Sequence, residues 1–139
     1  MLSSHNGVIR CTGKIWNGRL APDELTEEHS MSHFHSTSHE VLCVTKGKAK
    51  LGFGHEDNPK RVEPEVQEGD VMVVPAGVSH RLLEDIEGGF SMVGSYPIGC
   101  DWDMCYGRED EDDKVKDIES LGWFDRDPIY GEKGPVLDA

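Results

Sequence analysis

Three histidines and a glutamate, His33, His35, Glu40 and His80, are the residues of this chain whose types and spacing can do chemistry. His33 and His35 are two apart, so on an extended strand both imidazoles leave the same side and can share one ion. Ser36, Thr37 and Ser38 form a polar turn, and Glu40 opens the next apolar run on the same face as Leu42 and Val44. A carboxylate aimed at an interior must be paired, protonated or bound to a cation. His80 arrives from a distant stretch, Gly69 to His80, where a continuous apolar run ends in Pro75-Ala76-Gly77 and reverses. Three neutral imidazoles with one carboxylate suit a first-row divalent ion such as Fe, Mn, Ni or Zn, and an octahedral ion so held keeps two positions for other ligands. That is the open site metal catalysis requires.

The elements that must position these groups are short strands. A chain of 139 residues fits one domain, and 16 Gly and 7 Pro with a 36% hydrophobic fraction suit strands and tight turns better than long helices. Strands are expected over 32–35, 40–46, 48–53, 62–67, 71–74, 81–84 and 90–96, broken at Gly47, Gly54, Gly69, Pro75-Ala76-Gly77 and Gly88-Gly89. Residues 1–30 form an N-terminal segment with edge strands near Ile9 and Ile15 and one helical turn capped by Asp23. Residues 31–98 form the core, and 99–139 an acidic tail, with a short helix over 113–121, that packs on it. Trp102, Trp123 and Tyr130 are expected to anchor that tail. Val41 and Cys43 make the outer face of their strand apolar as well, which calls for cover by the tail or by a second subunit, hence a homodimer.

His33-x-His35, four residues, Glu40, six residues, Gly47, then Gly69, five residues, Pro75-x-Gly77, two residues, His80, is similar to the two motifs of the cupin superfamily. Val93-Gly94-Ser95-Tyr96-Pro97, Asp101-Trp102-Asp103 and Asp127-Pro128-Ile129-Tyr130-Gly131 extend it toward the YjlB-like small cupins, covering the chain from about Met31 onward. The resemblance implies an all-β jelly roll (an RmlC-like double-stranded β-barrel) and a metal; it names no substrate. One position departs from the pattern, which has asparagine four residues after the last histidine. Here it is Glu84, expected on the same side as His80.

Other residues read more plainly. His39 precedes Glu40 and is expected on the opposite face, supporting the site or lying at the surface, while His5, His29 and His55 have no partner spacing. Cys11, Cys43, Cys100 and Cys105 lack a metal-finger spacing and read as reduced, cytosolic thiols, with a Cys100–Cys105 bridge the one alternative. Net charge is −13, and residues 101–139 carry 13 acidic and 5 basic side chains, so nucleic acid and anionic membranes are repelled. No apolar run is long enough to span a bilayer, and the start lacks a leader pattern.

Two functions fit. One is a metal-dependent oxidoreductase of the oxygenase (dioxygenase) type acting on a small molecule. Hydrolysis or isomerisation would need a separate acid or base, for which only Glu84 and His39 offer themselves. The alternative is a non-catalytic, metal-bearing module that binds or senses a small ligand. No catalytic residue beyond the four is marked by the sequence.

Overall fold

The computed structural model describes residues 9–10, 15–17, 31–97, 100 and 103–139. Among the described residues eight strands are present: β1 (Ile9–Arg10), β2 (Ile15–Asn17), β3 (Glu40–Lys46), β4 (Lys48–Phe53), β5 (Glu65–Gln67), β6 (Val71–Val74), β7 (His80–Asp85) and β8 (Ser91–Pro97). All pairings are antiparallel. One sheet runs β1-β8-β3-β6 with β2 also on β8, and the other runs β5-β4-β7.

The two sheets share a core. Leu42, Val44, Val74, Phe90 and Met92 from the first side meet Ala49, Leu51 and Val66 from the second, with Leu82 packed against them. Alternation along β3 explains this, since Leu42 and Val44 point inward from every second position. Leu51 and Phe90 are among the most completely buried side chains, and burying each is worth about 2 kcal/mol at the usual area coefficient.

Two of the crossings between the sheets, β3 to β4 and β6 to β7, turn on a glycine. β3 leaves the first sheet and becomes β4 of the second at Gly47, whose φ is +78°, and a Cβ there would sit 3.3 Å from the Phe90 Cα. β6 crosses to β7 through Pro75-Ala76-Gly77, where Gly77 has φ +84° and a Cβ would meet Ile118 Cδ1 at 3.1 Å. The left-handed conformation at each corner is one that glycine alone adopts without cost. These corners bring the start of β3 and the start of β7 to one end of the sandwich.

The differences from expectation have local causes. Residues 32–35 do not form a regular strand: His33 bridges His80 on one side and Phe34 bridges Cys105 on the other, so the segment is a splice between the barrel and the tail. Glu84 does not share a side with His80. Along β7, Asp85 faces Ala49 and Glu84 faces Lys50, but Leu82 faces Leu51, so Leu83 is an extra residue that resets the alternation and sends Glu84 to solvent. Leu83 instead covers Gly52 from outside.

Val41 is fully buried within the single chain, so that part of the outer face needs no second subunit; Val71 remains 41% exposed. The helix α1 spans Asp112–Ile118 and follows a 3-10 turn at Glu109–Glu111, opening with Asp112 and Asp113 where carboxylates favour a helix start. It ends as Ser120 and Leu121 donate back to the Asp117 and Ile118 carbonyls. Beyond it, Asp127 accepts the N–H groups of Ile129, Tyr130 and Val136, and a 3-10 turn over Pro135–Asp138 closes the chain. Tyr130 is 69% exposed and does not serve as the expected anchor. Cys100 and Cys105 are free thiols, so no Cys100–Cys105 bridge forms. Among the described residues no helix is long and apolar enough to cross a membrane. The N-terminal edge strands pair with β8, whereas the Asp23 turn, Cys11, His5, His29 and Trp102 lie outside the described residues.

Candidate metal centre

His33, His35 and His80 come together, each buried, with ligand-capable atoms all within 4.8 Å of one another. Their rings sit 4.5 Å apart for His33 and His80 and 5.4 Å for each remaining pair. Glu40 closes the group from β3: its Oε2 lies 3.2 Å from His35 Nε2 and 3.1 Å from His80 Nε2. All four residues proposed by spacing are therefore at one place, drawn from both sheets and the segment before β3.

The backbone decides which nitrogen of each ring faces the centre. Nδ1 of His33 lies 3.1 Å from the Met31 carbonyl, Nδ1 of His80 lies 3.0 Å from the Val78 carbonyl, and Nδ1 of His35 meets the Asp103 carbonyl. A carbonyl only accepts, so each Nδ1 must carry hydrogen and donate. In the neutral ring this leaves the Nε2 lone pair free, and the carbonyl bond sets the ring's orientation.

Neutral imidazoles would thus aim lone pairs at an anionic oxygen, an arrangement that needs a cation between them. Glu40 Oε2 is buried and makes no aligned hydrogen bond despite its two close neighbours. Without a metal, a proton is the alternative. Burial opposes charge on His35, but the adjoining carboxylate of Glu40 outweighs it and raises the imidazole above its ordinary range. Burial also opposes the Glu40 carboxylate, and pairing with His35 and then His80 holds it well below the usual range. His33 is pushed down to about 4 by burial and then by His80. The donor set and the buried unsatisfied oxygen both fit a divalent cation.

Three further residues build the site, and sequence reasoning did not single them out. Tyr96, on β8, donates its hydroxyl to Glu40 Oε1 at 2.7 Å in a buried contact, and its ring stands edge-on to His35 at 5.6 Å. Burial and then the Glu40 charge raise the phenol far above its ordinary range, keeping the donor hydrogen in place. Gly94 lies directly beneath the carboxylate, where a Cβ would be 2.5 Å from Glu40 Oε1. Asp103 accepts from Ser36 N at 2.8 Å and from Ser36 Oγ at 2.7 Å, and its carboxyl is lowered to about 2: burial raises it, and bonds from Ser36 and Cys105 overcome that. The signal for Tyr96 and Gly94 was the motif Val93–Pro97, whose residues carry no role until β8 is set beside β3.

His39 is spent elsewhere. Its Nδ1 accepts the Ala76 N–H at 2.9 Å, its Nε2 donates to the Gly122 carbonyl at 3.0 Å, and its ring touches Trp123 and Phe124. It ties the tail to the Pro75–Gly77 corner, as the expectation of a supporting role allowed, and Trp123 is the aromatic that anchors.

The profile of a family described as Cupin matches residues 25–83. A protein of Bacillus subtilis (strain 168), "Uncharacterized protein YjlB", is 34% identical over 124 residues, which is 88% of this chain and 68% of that protein. Among solved structures, a deletion mutant of Bacillus subtilis oxalate decarboxylase is 20% identical over 56% of this chain, with a TM-score of 0.47, and the chain spans 20% of it. The iron(II) form of HppE is 21% identical over 45% of this chain and 32% of its own, with a TM-score of 0.38. Vicilin from Corylus avellana (hazelnut) is 12% identical over 52% of this chain and 23% of its own, with a TM-score of 0.43.

Proposed function

Because the chain belongs to the cupins, and among them to the small YjlB-like group, we propose that it is a metal-dependent oxidoreductase of the oxygenase type acting on a small molecule, with His33, His35, Glu40 and His80 as the ligands of the ion. The observation that carries this reading is the shared tautomer: all three rings donate from Nδ1 to backbone carbonyls, which leaves Nε2 of each as the ligand atom of one buried cluster, two of them, on His35 and His80, beside the same Glu40 oxygen. A polar core that merely satisfied its own hydrogen bonds would not need every acceptor facing inward. When bound, a divalent ion of the Fe, Mn, Ni or Zn kind supplies Lewis acidity and open coordination positions for a small-molecule ligand.

The chain's own residues divide the remaining work. The Met31, Asp103 and Val78 carbonyls orient the rings, Tyr96 holds Glu40, and burial of all four groups keeps bulk water from the donors. The two side chains the sequence offered as an independent acid or base are not available to it: Glu84 faces solvent and His39 spends both nitrogens on backbone groups. This favours redox chemistry over hydrolysis or isomerisation, both of which call on such a group. The thiols of Cys100 and Cys105, which form no bridge, support a cytoplasmic setting, and the exposed Val71 supports a homodimer through the β6 edge.

Elemental analysis of protein purified without chelator or affinity metal tests the core of the proposal. One equivalent of a transition metal is expected in the wild type, with loss in His80→Ala. Protein that neither carries nor takes up metal ends it. For the reaction, oxygen uptake on a metabolite panel is expected; ligand-induced stabilisation without turnover would instead mark a binding or sensing module. Sedimentation at micromolar concentration is expected to give a dimer, and a monomer removes that part.

A further inference from the structure

We infer that Tyr96 is a positioning residue that makes Glu40 a one-oxygen donor, reserving Oε2 for the imidazole cluster and withholding Oε1 from it. The inference rests on the metal reading above and concerns how the ion's coordination sphere is limited.

The geometry assigns the two oxygens of Glu40 different tasks. Oε2 faces His35 and His80 at 3.2 and 3.1 Å, while Oε1 is turned the other way and accepts the Tyr96 hydroxyl at 2.7 Å. Gly94 is what permits this posture. On β8 it faces Leu42, one pleat from Glu40, and any Cβ there would meet Oε1 at 2.5 Å and push the carboxylate out of place. Oε1 is thus held by a donor and given room by a missing side chain close beside that donor.

A free carboxylate can bind an ion through both oxygens. With Oε1 committed to a short buried hydrogen bond, bidentate binding would require giving up that bond. One carboxylate oxygen and three imidazoles would then hold the ion through four positions, so an octahedral ion would keep two for other ligands. Tyr96 therefore controls how many positions remain for a small ligand, without contacting that ligand.

The test uses cobalt(II) as a spectroscopic probe, titrated into metal-free wild type and Tyr96→Phe. Visible absorption reports coordination number, X-ray absorption counts the carboxylate oxygens, and thermal melting of each metal-free protein checks folding. Expected is one cobalt per wild-type chain, and for Tyr96→Phe a changed visible spectrum with a second carboxylate oxygen, together with a cobalt affinity altered by tenfold or more. A purely structural tyrosine would lower melting temperature without moving the spectrum. Gly94→Ala, which disturbs Oε1 by contact and not by loss of its donor, is expected to change the spectrum too and carries the test if Tyr96→Phe does not fold. Cobalt bound with the same spectrum in both folded proteins overturns this inference and leaves the metal site standing. Failure of the wild type to bind cobalt removes the metal site itself.

Discussion

The backbone carbonyl of Asp103 receives the Nδ1 hydrogen of His35, 68 residues earlier in the chain, and the side chain of the same aspartate grips Ser36. With the paired backbone bonds between Phe34 and Cys105, this makes the tail a part of the site. The residues that orient one imidazole lie outside both motifs.

Removing that grip should therefore affect both stability and the metal. For Asp103→Ala we expect a loss of about 1–3 kcal/mol in unfolding free energy, as buried donors on Ser36 lose their acceptor. Metal affinity should fall roughly 10- to 100-fold, the usual cost of losing support behind a ligand. Urea unfolding of the metal-free protein and competition with a chromogenic chelator measure the two effects separately.

Glu40→Gln should separate charge from shape. The amide fits the same space and can still accept from Tyr96, so the barrel is expected to stay folded, with a melting temperature within several degrees of wild type. Affinity for a divalent ion should drop at least tenfold because the one negative donor is gone. An unfolded variant would make Glu40 part of a structural network instead.

Metal uptake should release protons. His35 is raised above its ordinary value of 6.5 by the Glu40 carboxylate, so in the metal-free protein its stabilising contribution is complete below 6.5 and is lost as pH rises through the folded value. Glu40 is depressed, so its contribution is present above 4.5 and lost as pH falls. A metal needs His35 neutral, hence the gain in melting temperature on metal addition should grow as pH rises above 6.5 through the raised folded value. Calorimetry in two buffers of different ionisation enthalpy counts the proton; equal heats in both would contradict its release.

Gly47→Ala should destabilise the fold by about 1–3 kcal/mol, because the residue has φ +78° and its new Cβ would press on the Phe90 backbone. The denaturation midpoint reports this directly. Gly88, also at φ +78° but with nothing within 4 Å, should show only the conformational part of that cost when replaced by alanine.

Much of the fold could be read before any coordinates. β3, β4 and β6 begin and end where their apolar runs and glycines place them, because hydrophobic alternation and turn chemistry are local properties. Glu84 was misplaced for a reason equally physical: a single extra residue at Leu83 inverts the alternation, and composition does not announce a bulge. The segment over 32–35 carries a strand-like pattern but no continuous partner, since its two neighbours, His80 and Cys105, come from different parts of the chain.

By itself, then, the order of residues determined the all-β class, the glycine corners and the set of four side chains whose chemistry suits a cation, because spacing along a strand and residue type suffice for those. Tertiary structure alone decided the tautomer of each imidazole, the division of labour between the two oxygens of Glu40, and the parts played by Tyr96, Gly94 and Asp103. These depend on which strand lies beside which and in what register, and contacts 56 to 68 residues apart have no trace in local pattern.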